Sequence, residues 1–492
     1  MSVGSGIIIS RRTGLAGYLA GALALGAVAV AGTTAAYATE TLKLKKAVSV
    51  PNGGKITSFD ISFVDPVMGF YVLGDRTNKG VDVIDTATNT FQFIAGQGLF
   101  TGVVLVNGVA NNNLSGPDGA MIVNRREIWA GDGDSTLKFL SLANGALLGQ
   151  VSTGGKFRVD EMCFDPVHNI GFVANNADSP PFITAVSART HSIIGQVFFD
   201  GTNGTPNATN GIEQCQFNPR DNMIYVTVPE INGPGDNSVS GGVSRIDPLT
   251  SRVTATAIIP ISSCSGPQGL AIGPALGSHG QMLTGCNGAV ANAAANRPTA
   301  VIDDGSQPGG TFGAIVFTLP FQAGNDMVDY NPGDNHYYLA RSGNNSFVNP
   351  NPDPVTGIKL GCPNVTGAIN YGANIYVSQG VQGEAFPGSP SLAGPAALGM
   401  VNASTGVSNA DTITGLANCA ATSPGPGGVG KANAANAHGA AHSVASDRVH
   451  NQIYVPIAST GFAAGMTGLC AQGGGVDANG CIAVFQTVGS DP

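Results

Sequence analysis

The stretch DISFVDPVMGFYV, residues 60–72, decides the fold because its pattern returns along the chain. It contains a polar residue, a short alternating strand that ends at Asp-Pro, a turn, and a second strand rich in aromatic and β-branched residues. Clear copies are DEMCFDPVHNIGFV (160–173), EQCQFNPRDNMIYV (213–226), DMVDYNPGDNHYYL (326–339) and HSVASDRVHNQIYV (442–455). Weaker copies are DGAMIVNRREIW (118–129) and QGLAIGPALGSHGQML (268–283). The sequence therefore contains seven related units.

Most units continue with two further strands, such as VDVIDTATNT (81–90) in the first unit and ALLGQVS (146–152) in the second. The units start 42 to 58 residues apart, except for an interval of 116 residues between Asp326 and His442. Four short strands per unit at this spacing predict an all-β fold, a seven-bladed β-propeller. The long interval predicts a loop insertion at about residues 342–395, which are rich in Asn, Pro and Gly.

The two ends of the chain carry complementary parts of one unit. The last unit ends after GCIAVFQ (480–486) and lacks a fourth strand, whereas LKLKKAVSV (42–50) has no unit of its own. We expect this N-terminal strand to complete the last blade and close the ring, which leaves no open sheet edge between the two ends.

The strand phrase VDVIDTATN and the phrase FDP-turn-YV resemble the repeats of YncE-like seven-bladed propellers, which are WD40/YVTN-like and exported by many bacteria. The resemblance covers nearly all of the chain after the leader. It implies the fold and leaves the activity open, because that superfamily includes binding proteins, accessory proteins of redox systems and some hydrolases.

The first 38 residues have the pattern of a signal peptide. Arg11 and Arg12 precede an apolar run that ends in the cleavage signature Ala36-Tyr37-Ala38. The arginine pair resembles a twin-arginine signal, with an ordinary Sec signal or an uncleaved anchor as alternatives. We predict a signal peptide at 1–38, a single propeller domain at 39–492, no membrane span after cleavage, and a periplasmic or secreted location.

Charge and cysteine content restrict the partners. The chain has 22 basic and 31 acidic residues, a net charge of −9, and loss of the leader arginines makes it −11. This balance argues against nucleic acid as a partner. The eight cysteines suggest disulfides formed in an oxidising compartment. By spacing, Cys470 can pair with Cys481, and Cys264 with Cys286.

Every unit supplies a polar residue four positions before the core residue of its first strand. In a propeller this position lines the central channel, and here it is occupied by Asp60, Asp118, Asp160, Glu213, Gln268, Asp326 and His442. Two carboxylates about 8 Å apart repel each other by roughly 2 kcal/mol at an effective dielectric of about 20. A bound divalent cation, raised pKa values or water in a wide channel can offset this repulsion. The oxygen-rich set favours Ca²⁺, with Mg²⁺, Mn²⁺ or Zn²⁺ as alternatives.

A second group of polar residues lies at the ends of the second strands, which are expected on the same face as the ring. These residues, expected to support the site or contact a ligand, are Asp75, Asp132, Asp134, Asn175, Asn176, Glu230 and Arg341. His438 lies close to His442 in the sequence, so either histidine is a candidate general base.

Motifs for nucleophilic serine catalysis, haem attachment and Walker-type nucleotide binding do not occur in the sequence. Haem and nicotinamide cofactors are not expected. A quinone is not expected either, because Trp129 is the only tryptophan and the tryptophan docking motif of quinone-dependent dehydrogenase propellers is missing. The sequence favours a binding or accessory protein of the cell envelope, with a divalent cation in the acidic ring and a small molecule or envelope protein as partner. A metal-dependent hydrolase of lactones or esters, by analogy with calcium-dependent gluconolactonase-type propellers, and a structural surface protein are the alternatives.

Overall fold

The computed structural model describes residues 41–286, 299–319, 325–341, 359–360, 371–372, 397–402, 442–459 and 469–488. All of them belong to one compact body, which comprises residues 38–492. The predicted signal peptide, His438 and most of the predicted insertion lie outside the described residues. Within the described ranges, no helix has the length and apolar character that crossing a membrane requires.

Nearly all regular structure is antiparallel β-sheet, and each repeated unit forms one sheet. The first three sheets follow β1 (Thr41–Val48), and a two-stranded hairpin lies between sheets 1 and 2. The strands are, in sheet 1, β2 (Ser62–Asp65), β3 (Phe70–Asp75), β4 (Gly80–Asp85) and β5 (Thr90–Ala95); in the hairpin, β6 (Leu105–Val106) and β7 (Val109–Ala110); in sheet 2, β8 (Ala120–Val123), β9 (Glu127–Gly131), β10 (Thr136–Ser141) and β11 (Leu147–Ser152); and in sheet 3, β12 (Met162–Asp165), β13 (Ile170–Asn175), β14 (Phe182–Ser187) and β15 (Ile193–Phe198).

The remaining sheets repeat this order, with three described strands in sheet 6. Their strands are, in sheet 4, β16 (Cys215–Asn218), β17 (Met223–Val228), β18 (Gly242–Asp247) and β19 (Arg252–Ile258); in sheet 5, β20 (Pro267–Leu276), β21 (His279–Cys286), β22 (Thr299–Asp303) and β23 (Ile315–Leu319); in sheet 6, β24 (Asn325–Asn331), β25 (His336–Arg341) and β28 (Ala397–Asn402); in a separate pair, β26 (Lys359–Leu360) and β27 (Tyr371–Gly372); and in sheet 7, β29 (Ala445–Asp447), β30 (Gln452–Ile457) and β31 (Cys481–Val488).

Strand β1 is the outer strand of sheet 7. It pairs antiparallel with β31, with Val48 opposite Ile482 and Leu42 opposite Thr487. Sheet 7 therefore has four strands, as do sheets 1 to 5. One short helix, α1 (Leu469–Gln472), and three 3₁₀ turns (Pro51–Gly53, Asn112–Leu114 and Asp477–Asn479) complete the regular structure of the described residues.

Aspartate side chains shape the turn inside the repeated phrase. The Oδ1 atom of Asp65 accepts hydrogen bonds from the backbone N–H groups of Val67 and Met68, at 2.9 and 3.0 Å. Asp165 accepts the corresponding bonds from Val167 and His168, at 2.8 and 3.0 Å. A carboxylate that caps its own turn explains why Asp or Asn recurs before Pro in the sequence.

The hydrophobic core lies between neighbouring sheets. Trp129 of sheet 2 is fully buried against sheet 3, and a Cβ atom at Gly171 would lie 2.4 Å from its ring, so this position must be glycine. Between sheets 7 and 1, the rings of Tyr454 and Tyr71 stack with their centroids 5.0 Å apart. Face-to-face packing therefore also joins the last sheet to the first.

The innermost strands contact one another in a closed cycle that runs through β2, β8, β12, β16, β20, β24 and β29 and returns to β2. Sheets that radiate from such a cycle and pack face to face define a β-propeller. The fold is therefore an all-β propeller, with six four-stranded sheets and one three-stranded sheet among the described residues.

Three disulfides lie in the described residues. Two are the pairs expected from the spacing, Cys264–Cys286 and Cys470–Cys481. The third, Cys163–Cys215, joins the innermost strands of sheets 3 and 4, and the sequence analysis did not predict it. Disulfides at three places favour an oxidising compartment.

Candidate functional site

The ring residues lie where the sheets enter the central channel. The backbone N–H of each of four of them donates to a carbonyl at the end of the second strand of its own sheet. These bonds are Asp60 to Gly74, Asp118 to Gly131, Asp160 to Ala174 and Glu213 to Thr227, at 2.8–3.0 Å. The repeated bond places each side chain at an equivalent point of its sheet.

Small residues let neighbouring sheets approach closely at this ring. A Cβ atom at Gly119 would lie 2.0 Å from the carbonyl oxygen of Asp160, and one at Gly269 would lie 2.1 Å from that of Asp326. Both glycines directly follow a ring residue. They allow the backbone of the next sheet to pack against the ring.

Two buried arginines neutralise one side of the ring, and the sequence analysis did not predict either of them. The Arg76 guanidinium forms ion pairs with Asp60 and Asp118. The Arg158 guanidinium binds Asp160, with Nη2 2.6 Å and Nε 2.8 Å from Oδ2. Arg76 follows β3 and Arg158 stands two residues before Asp160, so neither occupies the repeated ring position.

His442 bridges the two sides of the ring. Its Nε2 atom lies 2.5 Å from Oδ1 of Asp60, and its Nδ1 atom lies 2.9 Å from Oδ2 of Asp326. Burial acts to lower the pKa of His442, but the two carboxylates outweigh it and hold that pKa well above its usual value. The imidazole of His442 is therefore protonated, and each of its two nitrogens donates a hydrogen bond to a carboxylate. A general base at this position would first have to lose a proton and open one of these contacts.

The arginines and burial act in opposite directions on the carboxyl groups. Burial acts to raise the pKa of Asp60, yet Arg76 and His442 together hold it well below its usual range. Burial raises the pKa of Asp118 and of Asp160 despite the nearby Arg76 and Arg158. The Oδ2 atom of Asp118 is buried and has no hydrogen-bond partner among the described residues.

A second cluster of carboxylate side chains lies around a cavity of about 140 Å³ inside the channel. Glu161, Glu213 and Asp326 line it and can bring one oxygen each to within 4.8 Å of the others. Glu161 is 3 % exposed, and its carboxyl group has no hydrogen bond or ion pair among the described residues. Burial, followed by repulsion from Asp160 and a neighbouring glutamate or aspartate, raises the pKa of both Glu161 and Glu213.

The seven predicted ring residues separate into two groups. Those that line the cavity are Asp160, Glu213, Gln268, Asp326 and His442. Asp60 and Asp118 do not line it and are paired with Arg76. Glu161, which the sequence analysis omitted, does line the cavity. It follows Asp160 directly, and two adjacent acids before a buried strand are the only sequence signal for it.

Most of the predicted second group stabilises loops. Asp75 accepts a hydrogen bond from the Asn78 backbone at 3.0 Å, and Asp132 binds Lys138 at 2.5 Å. Asn175 donates to Ser135 at 2.9 Å, and Glu230 accepts from Thr209 at 2.9 Å. The side chain of Asp134 is 54 % exposed. The side chain of Arg341 lies outside the described part of the chain.

Asn176 differs from the rest of this group, because it lines a pocket of about 720 Å³ beside the channel. The pocket is formed by loops of sheets 3 and 4, and it shares Arg158 and Glu213 with the channel cavity.

No family model and no curated protein matches the chain. Among solved structures, the chain is similar to hydrazine synthase from Kuenenia stuttgartiensis, with 12% identity and a TM-score of 0.43 over 63% of this chain and 95% of that one. It is also similar to the Pan2 WD40 domain of Neurospora crassa, with 10% identity and a TM-score of 0.41 over 62% of this chain and 80% of that one.

Proposed function

We propose that this chain is a binding or accessory protein of the cell envelope that holds a divalent cation in its channel at Glu161, Glu213 and Asp326. One observation carries the proposal. The carboxyl group of Glu161 is buried beside two other carboxyl groups, lines a cavity and has no partner among the described residues. A buried carboxylate without a partner is unfavourable, and a cation in the cavity would satisfy it.

The charge balance of the channel supports a cation. Six carboxyl groups meet there, those of Asp60, Asp118, Asp160, Glu161, Glu213 and Asp326. They face three cationic groups, those of Arg76, Arg158 and His442. The arginines pair with Asp60, Asp118 and Asp160, so the excess of acid lies with Glu161, Glu213 and Asp326.

The chemistry of the cavity favours Ca²⁺. The candidate ligands around the cavity are carboxylate oxygens, and hard oxygen ligands suit Ca²⁺, Mg²⁺ and Mn²⁺. Zn²⁺ prefers a nitrogen or sulfur ligand, but both ring nitrogens of His442 contact carboxylates. The cation would hold the carboxylates together and offset two of the three excess negative charges.

The scaffold that we infer is an exported seven-bladed propeller of the YncE-like type. The cycle of seven innermost strands supports counting sheet 6 as a blade, and the pairing of β1 with β31 supports closure by the N-terminal strand. The three disulfides support export.

Metal analysis of the purified protein tests the cation site. We expect about one calcium per chain by mass spectrometry of the acid-digested protein, and a lower melting temperature after EDTA that added Ca²⁺ restores. The variant Glu161→Gln with Glu213→Gln should lose the metal and the response to EDTA. Its matched control is Asp134→Asn with Asp236→Asn, which removes two exposed carboxylates and should behave as wild type.

Two results would contradict the proposal. One is a protein that takes up no divalent cation and melts at the same temperature with Ca²⁺ and with EDTA. The other is a metal that stays bound in the Glu161→Gln, Glu213→Gln variant, which would mean that other residues hold it.

A further inference from the structure

The loop that joins sheet 1 to sheet 2 carries an ordered hairpin, made of β6 and β7. Leu105 pairs with Ala110, and Val106 pairs with Val109. The Asn-Gly turn at residues 107–108 has φ values of 51° and 77°. Two positive φ values are what a two-residue hairpin turn of this type requires, and Asn-Gly is the sequence that favours it. The hairpin therefore has a defined conformation.

The base of the hairpin is tied to the propeller. Gly102 and Gly116 exchange two backbone hydrogen bonds of 2.7 and 3.0 Å. The N–H of Thr101 donates to Oδ1 of Asp132, which follows β9 in sheet 2, at 3.1 Å. The hairpin thus projects from a fixed base.

The side chains of both hairpin strands are apolar and exposed. Leu105 is 62 % exposed, Val106 42 % and Val109 59 %, and Ala110 is also exposed. The residues of a cross-strand pair lie on the same face of a hairpin, and successive residues lie on opposite faces. Both faces of this hairpin are therefore apolar. A hairpin that packs against a protein along one face alternates apolar and polar residues, so this pattern favours an apolar medium that contacts both faces.

The segment around the hairpin has the same character. No charged residue occurs between positions 98 and 117. Leu99 and Val103, towards the base, are 45 % and 38 % exposed. Two cross-strand pairs and a turn reach roughly 10 Å from the base. This length matches the depth at which interfacial segments bury their apolar side chains in a bilayer.

Exposed lysines of sheet 1 lie beside the hairpin. The side chain of Lys79 runs along its base, because a Cβ atom at Gly102 would lie 2.7 Å from Cε of Lys79. Lys55 is exposed on the adjacent loop, and neither ammonium group has an ion pair or hydrogen bond among the described residues. The exposed carboxylate of Asp134, in sheet 2, lies 3.9 Å from Lys138. Lysines at the base of an apolar projection can place their charge among lipid phosphates.

We propose that the hairpin at residues 105–110 inserts into the interfacial layer of an anionic lipid bilayer and holds the propeller on the membrane surface. Asn112 of the same loop accepts a hydrogen bond from Arg76 of the ring, so the ring side of the channel would face the lipid. The contact involves no membrane-spanning segment. It does not rest on the proposed cation site, because none of the three carboxylates of that site belongs to the hairpin.

A tryptophan placed in the hairpin tests the insertion, because Trp129 is the only native tryptophan and is fully buried. The full chain with Val106→Trp is mixed with vesicles of equimolar phosphatidylcholine and phosphatidylglycerol. We expect a blue shift of the tryptophan emission, and quenching when the phosphatidylcholine is brominated. Val167→Trp, at a 55 % exposed turn after β12 on the opposite side of the propeller, is the matched control and should show neither change. The readout is local, so lipid contact elsewhere in the chain does not produce it.

Further variants in the Val106→Trp background separate the apolar and charged contributions. Leu105→Asp with Val109→Asp should abolish the blue shift and the quenching, because carboxylates resist burial in lipid. Both positions are exposed, so the melting temperature should not change. Lys79→Gln should weaken vesicle binding about fivefold. Arg126→Gln, at an exposed turn on the opposite side of sheet 2, should leave it unchanged.

The proposal is overturned if Val106→Trp is not quenched by brominated lipid, if Val167→Trp is quenched equally, or if the variant with two added aspartates is still quenched. A blue-shifted emission without lipid, in a chain that sediments as a dimer, would also overturn it and assign the hairpin to a second copy. Glu161→Gln should abolish metal uptake and leave the quenching intact, which separates this surface from the cation site.

Discussion

The Nε2 atom of His442 lies 2.5 Å from Oδ1 of Asp60, so the last repeated phrase is joined to the first inside the channel. The same imidazolium reaches Asp326 of the sixth sheet. Three sheets are therefore held together by one side chain that the sequence analysis considered only as a metal ligand or a base.

Replacing His442 should destabilise the fold in a pH-dependent manner. His442→Gln removes two hydrogen bonds between charged groups, and we expect a loss of about 2–4 kcal/mol in the free energy of unfolding. Because the folded pKa of His442 is raised, this contribution is complete below the usual pKa of 6.5 and disappears as the pH rises through the folded value. Urea denaturation between pH 6 and 10 measures it. The same pH dependence in His442→Gln and in the wild type would contradict this prediction.

Arg76 should be essential to stability because it neutralises two buried carboxylates. Arg76→Met leaves Asp60 and Asp118 facing each other, and breaking a buried ion pair in this way costs about 3–5 kcal/mol. Adding Asp118→Asn should recover part of the loss, as measured by denaturation midpoints. Arg126→Met, at an exposed turn, serves as the control. Equal melting temperatures for Arg76→Met and Arg126→Met would show that the pairing contributes little.

The Cys163–Cys215 disulfide should contribute more stability than the Cys470–Cys481 disulfide. It closes a segment of 52 residues, compared with 11 for the other. Chain entropy predicts about 4 kcal/mol for the longer loop and about 3 kcal/mol for the shorter. Paired Cys→Ala variants, compared by urea denaturation, test this order. The reverse order would mean that effects within the native state outweigh chain entropy.

Asp329 should make the protein less stable as the pH rises through the weakly acidic range. Burial raises its pKa to about 6, although two hydrogen bonds from Ser446, at 2.8 and 2.7 Å, act in the opposite direction. Because the folded pKa is raised, the protonated carboxyl group stabilises the fold fully below pH 3.8. This contribution is lost by pH 7, and the free energy of unfolding falls by roughly 2–3 kcal/mol.

Asp329→Asn tests this pH dependence, because it keeps an acceptor for Ser446 and cannot ionise. The variant should lose less stability than the wild type between pH 4 and pH 7 in denaturant titrations. Asp134→Asn, which changes an exposed carboxylate, should follow the wild-type curve. If the Asp329→Asn variant also follows the wild-type curve, the pKa of Asp329 is not raised and the prediction is wrong.

The propeller could be predicted from the sequence because each blade repeats one local pattern. The alternation of the strands and the Asp-Pro turn are short-range features, and Asp65 and Asp165 form the same turn in two sheets. The Cys163–Cys215 pair was not predicted, since it depends on which innermost strands are neighbours and not on a nearby sequence signal.

The ring position could also be predicted, but its electrostatics could not. The backbone bond of Asp160 to Ala174 recurs in other sheets, so the ring residues align by counting. Arg76 and Arg158 come from loops that differ between the units, and no repeated position marks them. The sequence analysis therefore expected an ion to balance the whole ring, whereas arginines balance one side of it and leave the acids around Glu161.

The pairing of β1 with β31 has a consequence for biosynthesis. During translation β1 emerges first among the described strands, and its partner emerges last. Until then β1 has no neighbour in its sheet, and the contacts of Tyr454 with Tyr71 cannot form either. The nascent polypeptide therefore carries an incomplete ring until β31 has been synthesised.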